Sequence, residues 1–444
     1  MSSTPVEIGT AALADIANDG QACIVDLRPV EAFNGWALAG ERRGGHIAGA
    51  MSFPFDWTRY KFEIKEQLLS KGITANRTVV VYGYDDGQID AMAGMLAGGA
   101  YDDVRCYRGF VDEWSADGRL PMHRLARWDR LVRPAWLSER LEAGPSGDGH
   151  RPVVVCHCHY DHVADYQKGH VPGAIALDTN ALESPRTWNR RTGDALRRTL
   201  EAHGITRQTT VVVYGRFAFP DNADPHPGKS AGHLGAIRCG AIMLWAGVED
   251  VRVLNGGMNR WEDHGLPVST EATEPTPAAD FGGTIPGRPG LFVDTPEARR
   301  LLAASDGELV SVRSWPEFVG KVSGYHYIHK KGRIPGAVFG NCGSDAYHME
   351  NYRNLDYTTR DYHQIAAAWA EAGITPDKHI AFYCGTGWRG SEAFLNAWLM
   401  GWPRVSIYDG GWFEWSNDPA NPIATGEPTG GQRAVSVGGA SAPA

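Results

Sequence analysis

The chain has 444 residues, of which 43% are hydrophobic and 21% charged, and carries a net charge of −9. That length fits about three domains of ordinary globular composition, and the acidic balance excludes a general nucleic-acid binder. No apolar run reaches membrane-spanning length.

The start, Met1-Ser2-Ser3-Thr4-Pro5-Val6-Glu7, has neither the basic region nor the apolar core of a signal peptide, so a cytoplasmic location is expected. The seven scattered cysteines then read as reduced thiols. Short β-branched runs alternate with helical patterns of about 10–15 residues, which is the pattern of α/β units with mainly parallel sheets. The first run, Ile24-Val25-Asp26-Leu27-Arg28, is followed by the glycine turn His46-Ile47-Ala48-Gly49-Ala50. Gly72-Ile73-Thr74 then precedes another strand, and Gly109 leads to Trp114. After a linker at 127–134 the series restarts with Val153-Val154-Val155, running into Cys156 and His157. His170-Val171-Pro172-Gly173-Ala174, Gly204-Ile205-Thr206 and Gly256-Gly257 leading to Trp261 follow in the same order.

A second linker at 270–289 separates a third series. It runs Leu309-Val310-Ser311-Val312-Arg313, Arg333-Ile334-Pro335-Gly336-Ala337, Gly373-Ile374-Thr375, then Gly410-Gly411 leading to Trp415. The chain is therefore three copies of one unit, with expected bounds 7–126, 135–270 and 290–427. The tail 430–444, rich in Gly, Ser and Ala, is expected to be disordered.

The third copy holds the most informative run. Ile380-Ala381-Phe382-Tyr383 ends on Cys384, the turn Gly385-Thr386-Gly387-Trp388-Arg389 follows, and a helical pattern begins at Ser391. A thiol at a strand end, under a glycine-rich turn and a helix N-terminus, faces several backbone N–H groups. That field favours thiolate over thiol and holds an anion attached to the sulfur. The repeat supplies an internal control. The step from Gly373 to Cys384 lands on Gly83 when taken from Gly72, and on Gly215 when taken from Gly204. Chemistry at this position is thus expected only in copy three.

Tyr-Cys-Gly-Thr-Gly-Trp-Arg resembles the active-site loop of the three-domain rhodaneses, a branch of the rhodanese superfamily of sulfurtransferases. Ser314-Trp315-Pro316-Glu317-Phe318 and Ser323-Gly324-Tyr325-His326-Tyr327-Ile328 resemble the same branch, and the resemblance spans about 7–427. It implies an α/β fold of three tandem rhodanese-like domains, each a mainly parallel sheet flanked by helices, with the first two inactive. It implies a cofactor-free enzyme that moves sulfane sulfur from thiosulfate, polysulfide or a related donor through a Cys384 persulfide to a nucleophilic acceptor. The branch includes thiosulfate and mercaptopyruvate sulfurtransferases, and enzymes that thiolate the imidazole of hercynine to form ergothioneine. The missing export signal leans toward the second kind. A persulfide carrier delivering sulfur to a protein partner is the alternative. One departure stands out: rhodanese domains usually have Asp where this chain has Ser311, so a role for that carboxylate does not carry over.

Within this reading the N–H groups of Gly385, Thr386, Gly387, Trp388 and Arg389 cradle the terminal sulfur. Arg389 either holds the loop or attracts an anionic donor. Tyr325 is either an acid beside the persulfide or a packed aromatic. Arg313 and Arg333 offer positive charge to an anionic donor or a carboxylate-bearing acceptor. Four residues separate Cys384 from Arg389, where related phosphatases carry five around a larger phosphoryl group. Strand alternation points Tyr383 away from the site. It also splits Cys156-His157-Cys158-His159-Tyr160-Asp161-His162 over two faces, so no metal site is expected there. The insertion 217–233 contains Gly228-Lys229-Ser230 but lacks the upstream glycine of a phosphate loop, and reads as a long loop.

Overall fold

The structure is a computed structural model that describes residues 4–20, 22–60, 64–99, 101–144, 151–218 and 230–428. The tail 430–444 and most of the insertion 217–233 lie outside the described residues. The chain divides into two compact units. One comprises the described residues up to Asp129 together with Asp361–Gln364, and the other runs from Arg130 to Arg360 and onward from Ile365.

The first unit contains β1 (Val6–Glu7), β2 (Cys23–Asp26), β3 (His46–Ile47), β4 (Ala50–Ser52), β5 (Val79–Tyr82), β6 (Val104–Tyr107) and β7 (Met122–His123). Five of these form a parallel sheet in the order β1-β6-β5-β2-β4. The short strands β3 and β7 pair antiparallel as a separate ribbon. Val79 and Val81 enter one core with Val25 and Met92, while Val80 and Tyr82 enter another with Ile24 and Trp114. A central strand buried on both faces needs an unbroken apolar run, which is why Val79-Val80-Val81 does not alternate with polar residues.

The second unit repeats this plan twice. β8 (Leu131–Val132), β9 (Val153–His159), β10 (Ile175–Asp178), β11 (Thr210–Tyr214) and β12 (Asp250–Leu254) form one parallel sheet, ordered β10-β9-β11-β12-β8. β13 (Phe292–Val293), β14 (Gly307–Ser311), β15 (Val338–Phe339), β16 (His379–Tyr383) and β17 (Val405–Tyr408) form the other, ordered β13-β17-β16-β14-β15. Read from the strand that opens each copy, all three sheets have the same order. The middle strand is β5, β11 or β16, the one followed directly by Gly83, Gly215 or Cys384. Helices Ala231–Ala246 and Trp388–Leu399, one from each copy, pack against each other within this unit. All seven cysteines are free and buried. Among the described residues no helix is long and apolar enough to cross a membrane.

Candidate active site

Cys384 lies at the carboxyl end of β16, the middle strand, where open parallel sheets place their ligand crevice. It is fully buried. Alternation sends Tyr383 into the core with Leu309, Ala381 and Tyr408, on the face away from the thiol. The Gly387 N–H donates to Cys384 Sγ at 3.2 Å. Gly387 adopts φ +96°, in the left-handed region that favours glycine, and caps the helix Trp388–Leu399. From behind, the Trp412 N–H donates to the Cys384 carbonyl at 2.8 Å and the Phe413 N–H to the Gly385 carbonyl at 2.9 Å. With the Cys384 and Gly385 carbonyls bonded to that segment, the Gly387 N–H and the helix N-terminus face the sulfur.

Arg389 is buried, and both terminal nitrogens of its guanidinium are engaged while Nε has no partner. It donates to both carboxylate oxygens of Glu317, at 2.8 and 3.0 Å. It also donates to the Tyr325 hydroxyl at 2.7 Å and to the Asp345 carbonyl at 3.1 Å. Glu317 in turn accepts from the Ser314 N–H and hydroxyl, capping the short helix Trp315–Phe318. Burial works against the Glu317 carboxylate, yet the Arg389 charge and hydrogen bonds hold it below the usual range. Of the two readings for Arg389, the geometry is that of a residue holding the loop. Tyr325 packs on Gly385, where an added Cβ would lie 2.3 Å from the ring. Burial keeps the Tyr325 phenol protonated well above its ordinary range, with Arg389 opposing that shift. Tyr327 hydrogen-bonds Thr386, and burial raises its phenol as well.

One wall of the site comes from the second copy. Trp388 Nε1–H donates to Glu183 Oε1 at 2.7 Å, and its ring meets Tyr160 edge-on and packs beside Gly235. Arg238 links Glu183 to Asp409. Burial pushes the Glu183 carboxyl up to about 7 despite the Arg238 charge and the Trp388 hydrogen bond. Trp188 stacks on Tyr327 at 4.5 Å between ring centroids. Sequence reasoning missed Glu317, Tyr327 and Glu183. Glu317 had a signal, since Ser-x-x-Glu is capping-box spacing; Glu183 had none.

Arg313 and Arg333, expected to attract substrate, have carbonyls as partners. Arg313 donates to the Gly332 carbonyl and the Ser311 hydroxyl and lies over the Trp412 ring. Arg333 donates to the Gly426 carbonyl and lies over Phe318. The first copy retains the carboxylate that Ser311 replaces: Arg28 pairs with Asp26 through two guanidinium nitrogens. At Gly215 an added Cβ would sit 2.2 Å from the Gly232 carbonyl oxygen, so backbone fills the place of the thiol. At Gly83 the nearest atom would be Leu27 Cβ at 3.4 Å, an ordinary contact. Along β9, Cys158 lies with Cys239, whereas His157 packs between Tyr166 and Tyr214.

A buried thiol at the end of the middle strand, under the Gly387 N–H and a helix N-terminus in the last of three like sheets, defines a thiol-based group-transfer protein. A model of the rhodanese-like domain matches residues 10–117, 160–264 and 294–418. The thiosulfate sulfurtransferase YnjE of Escherichia coli (strain K12) is 39% identical, over 91% of this chain and 89% of its own. The solved anaerobic ergothioneine biosynthesis enzyme from Chlorobium limicola, in complex with trimethyl histidine, is 50% identical with a TM-score of 0.91, covering 96% of this chain and 100% of that one. A structure of EanB with a cysteine persulfide, in a tetrahedral intermediate state with ergothioneine, is 51% identical over 95% of this chain and 100% of that one, also at TM-score 0.91. The chain belongs to the rhodanese family. It is a sulfurtransferase of three rhodanese-like domains.

Proposed function

We propose that Cys384 carries the transferable sulfur and that the acceptor is the imidazole of hercynine, the product being ergothioneine. The observation that carries this reading is the 50% identity, over 96% of the chain, to an enzyme solved with trimethyl histidine. The local chemistry supports it. The Cys384 thiolate takes sulfane sulfur from a polysulfide or thiosulfate, giving Cys384-S-S⁻ and a donor shortened by one sulfur. The N–H groups of the loop 385–389 stabilise the terminal sulfur's charge, as the Gly387 N–H does for Sγ. The terminal sulfur adds to C2 of an imidazole protonated on nitrogen, making that carbon tetrahedral. Loss of the C2 proton forms the C=S bond, and the S–S electrons leave with the Cys384 thiolate. No external oxidant or reductant is needed.

Tyr325 has the right state for proton management. Its oxygen accepts from Arg389 and its own proton is held firmly. It therefore donates a hydrogen bond to the azole rather than serving as base. Thr386 and Tyr327 extend the hydroxyl lining. Arg389 and Glu317 keep Tyr325 and the loop in place, while Arg313 and Arg333 contribute positive charge from behind backbone contacts.

The test is anaerobic incubation of the purified protein with polysulfide and hercynine, with ergothioneine as the readout and cyanide as a competing acceptor. Ergothioneine is expected, and Cys384→Ala abolishes it together with the dithiothreitol-labile gain of one sulfur. Tyr325→Phe slows imidazole thiolation by about 10²-fold or more and affects thiocyanate formation far less. Thiocyanate without ergothioneine refutes the hercynine reading, and turnover in Cys384→Ala refutes the role of Cys384.

A further inference from the structure

Three histidines far apart in the sequence converge in the first unit, whereas the sulfur chemistry belongs to the second. His46 on β3 lies directly opposite His123 on β7 in the antiparallel ribbon. His363 is held beside them, its N–H bonded to the Asp361 carboxylate, whose other oxygen accepts from the Ser52 N–H. One ring nitrogen from each of the three histidines lies within 4.8 Å of the others. His46 Nε2 and His363 Nε2 are 3.1 Å apart. Two nitrogens held at about 2.0–2.1 Å on a tetrahedral ion lie about 3.3 Å apart, so the pair already has the spacing of adjacent ligands.

His46 is set up as a ligand. Its ring is fully buried and stacked on Phe33 at 3.6 Å. Its Nδ1 lies 2.8 Å from the Phe33 carbonyl, which can only accept, so the proton sits on Nδ1 and the Nε2 lone pair faces His363. A ligand histidine whose second nitrogen is bonded to a carbonyl is the arrangement that fixes ring and tautomer in metal sites. His123 is exposed, leaving an entry path and room for a water as fourth ligand.

The repeat again provides a control. In the second copy the matching residue is His170, stacked on Tyr166 as His46 is on Phe33. There both ring nitrogens face backbone carbonyls, Tyr166 at 2.8 Å and Glu271 at 3.0 Å, and the residue opposite is Ser269. The third copy has Arg333 opposite Ala424. The histidine in this turn of the second copy thus faces two carbonyls and no other histidine. Only the first copy replaces the second carbonyl with histidines. A hydrogen bond between His46 and His363 would account for those two rings, but gives no reason for His123 on the facing strand.

We propose that His46, His123 and His363 bind a divalent transition ion of the zinc class, with water completing the tetrahedron. Bound metal ties the segment Asp361–Gln364 to the β3–β7 ribbon. The test uses full-length protein without a histidine tag, stripped with chelator and titrated with Zn²⁺ in a calorimeter, then with Co²⁺ in a spectrophotometer. One tight equivalent is expected, and the Co²⁺ complex should show tetrahedral d–d bands without a thiolate charge-transfer band. His123→Gln and His363→Gln should each remove that equivalent. Because His123 is exposed, its variant should also keep wild-type sulfur transfer and melting temperature in the absence of metal. Absence of a tight equivalent in the wild type overturns the proposal. So does a tight equivalent that survives both substitutions, or a cobalt spectrum dominated by sulfur.

Discussion

Replacing Arg389 by Met tests the physical basis of the loop. The guanidinium and the Glu317 carboxylate are both buried and meet through two bonds, at 2.8 and 3.0 Å. Removing one partner of such a pair leaves a buried charge uncompensated and costs about 3–5 kcal/mol. Ser314 still donates two hydrogen bonds to Glu317, which places the expected loss toward about 3 kcal/mol. The effect also has a pH signature. In the wild type the Glu317 value is held below that of the unfolded chain. Its contribution is therefore present above the unfolded carboxylate value and is lost as pH falls through the folded one. In Arg389→Met, burial acts without its main opponent and raises the carboxyl, so the deficit shrinks as pH drops from neutral toward about 5. Adding Glu317→Gln removes the stranded charge, and the double variant recovers part of the loss. The assay is urea unfolding followed by tryptophan fluorescence at the two pH values, with all four proteins in a double-mutant cycle. Sulfur transfer should also fall, because Tyr325 loses its donor. A deficit below about 1 kcal/mol, or strictly additive single changes, refutes the clamp. An Arg389 that only attracts the donor would raise KM and leave unfolding unchanged.

Three further outcomes follow from the geometry. Gly385→Ala places a methyl 2.3 Å from the Tyr325 ring, and should displace that ring and cost about 1–3 kcal/mol by overpacking; a variant with wild-type melting and turnover refutes this contact. Gly215→Cys, whose Cβ meets the Gly232 carbonyl oxygen at 2.2 Å, should lower the unfolding midpoint markedly, whereas Gly83→Cys, with its nearest contact at 3.4 Å, should fold almost normally; equal midpoints in urea contradict the distinction. Glu183 has a folded value raised to about 7, so its contribution is complete below the unfolded carboxylate value and is lost as pH rises through about 7. Glu183→Gln should remove up to about 3 kcal/mol of that pH dependence, seen as converging melting curves between pH values of about 4.5 and 7; parallel wild-type and variant curves would refute it.

Much of this protein is written in local pattern. Three rounds of β-branched strand, glycine turn and tryptophan determine three parallel sheets, because burial on both faces demands apolar runs and the turns demand glycine. The spacing of Cys384, Gly387 and Arg389 places a thiol under a helix N-terminus, because the loop is short and its N–H groups have no helical acceptors. The glycines at 83 and 215 confine that chemistry to the third copy. The destinations of the long side chains were decided only by packing. Arg389 meets Glu317 across 72 positions of the chain, and Trp388 meets Glu183 across 205. Arg313 donates to the Gly332 carbonyl, a contact that Arg28 also makes, to Gly45, in the copy that keeps its carboxylate. The filling of the Gly215 site by the Gly232 backbone, and the meeting of His46 with His123 and His363, are likewise absent from any motif. The reason is physical: backbone hydrogen bonding and hydrophobic period act between near neighbours in sequence. A buried charge or a ring nitrogen must instead take the partner that tertiary packing brings within about 3 Å.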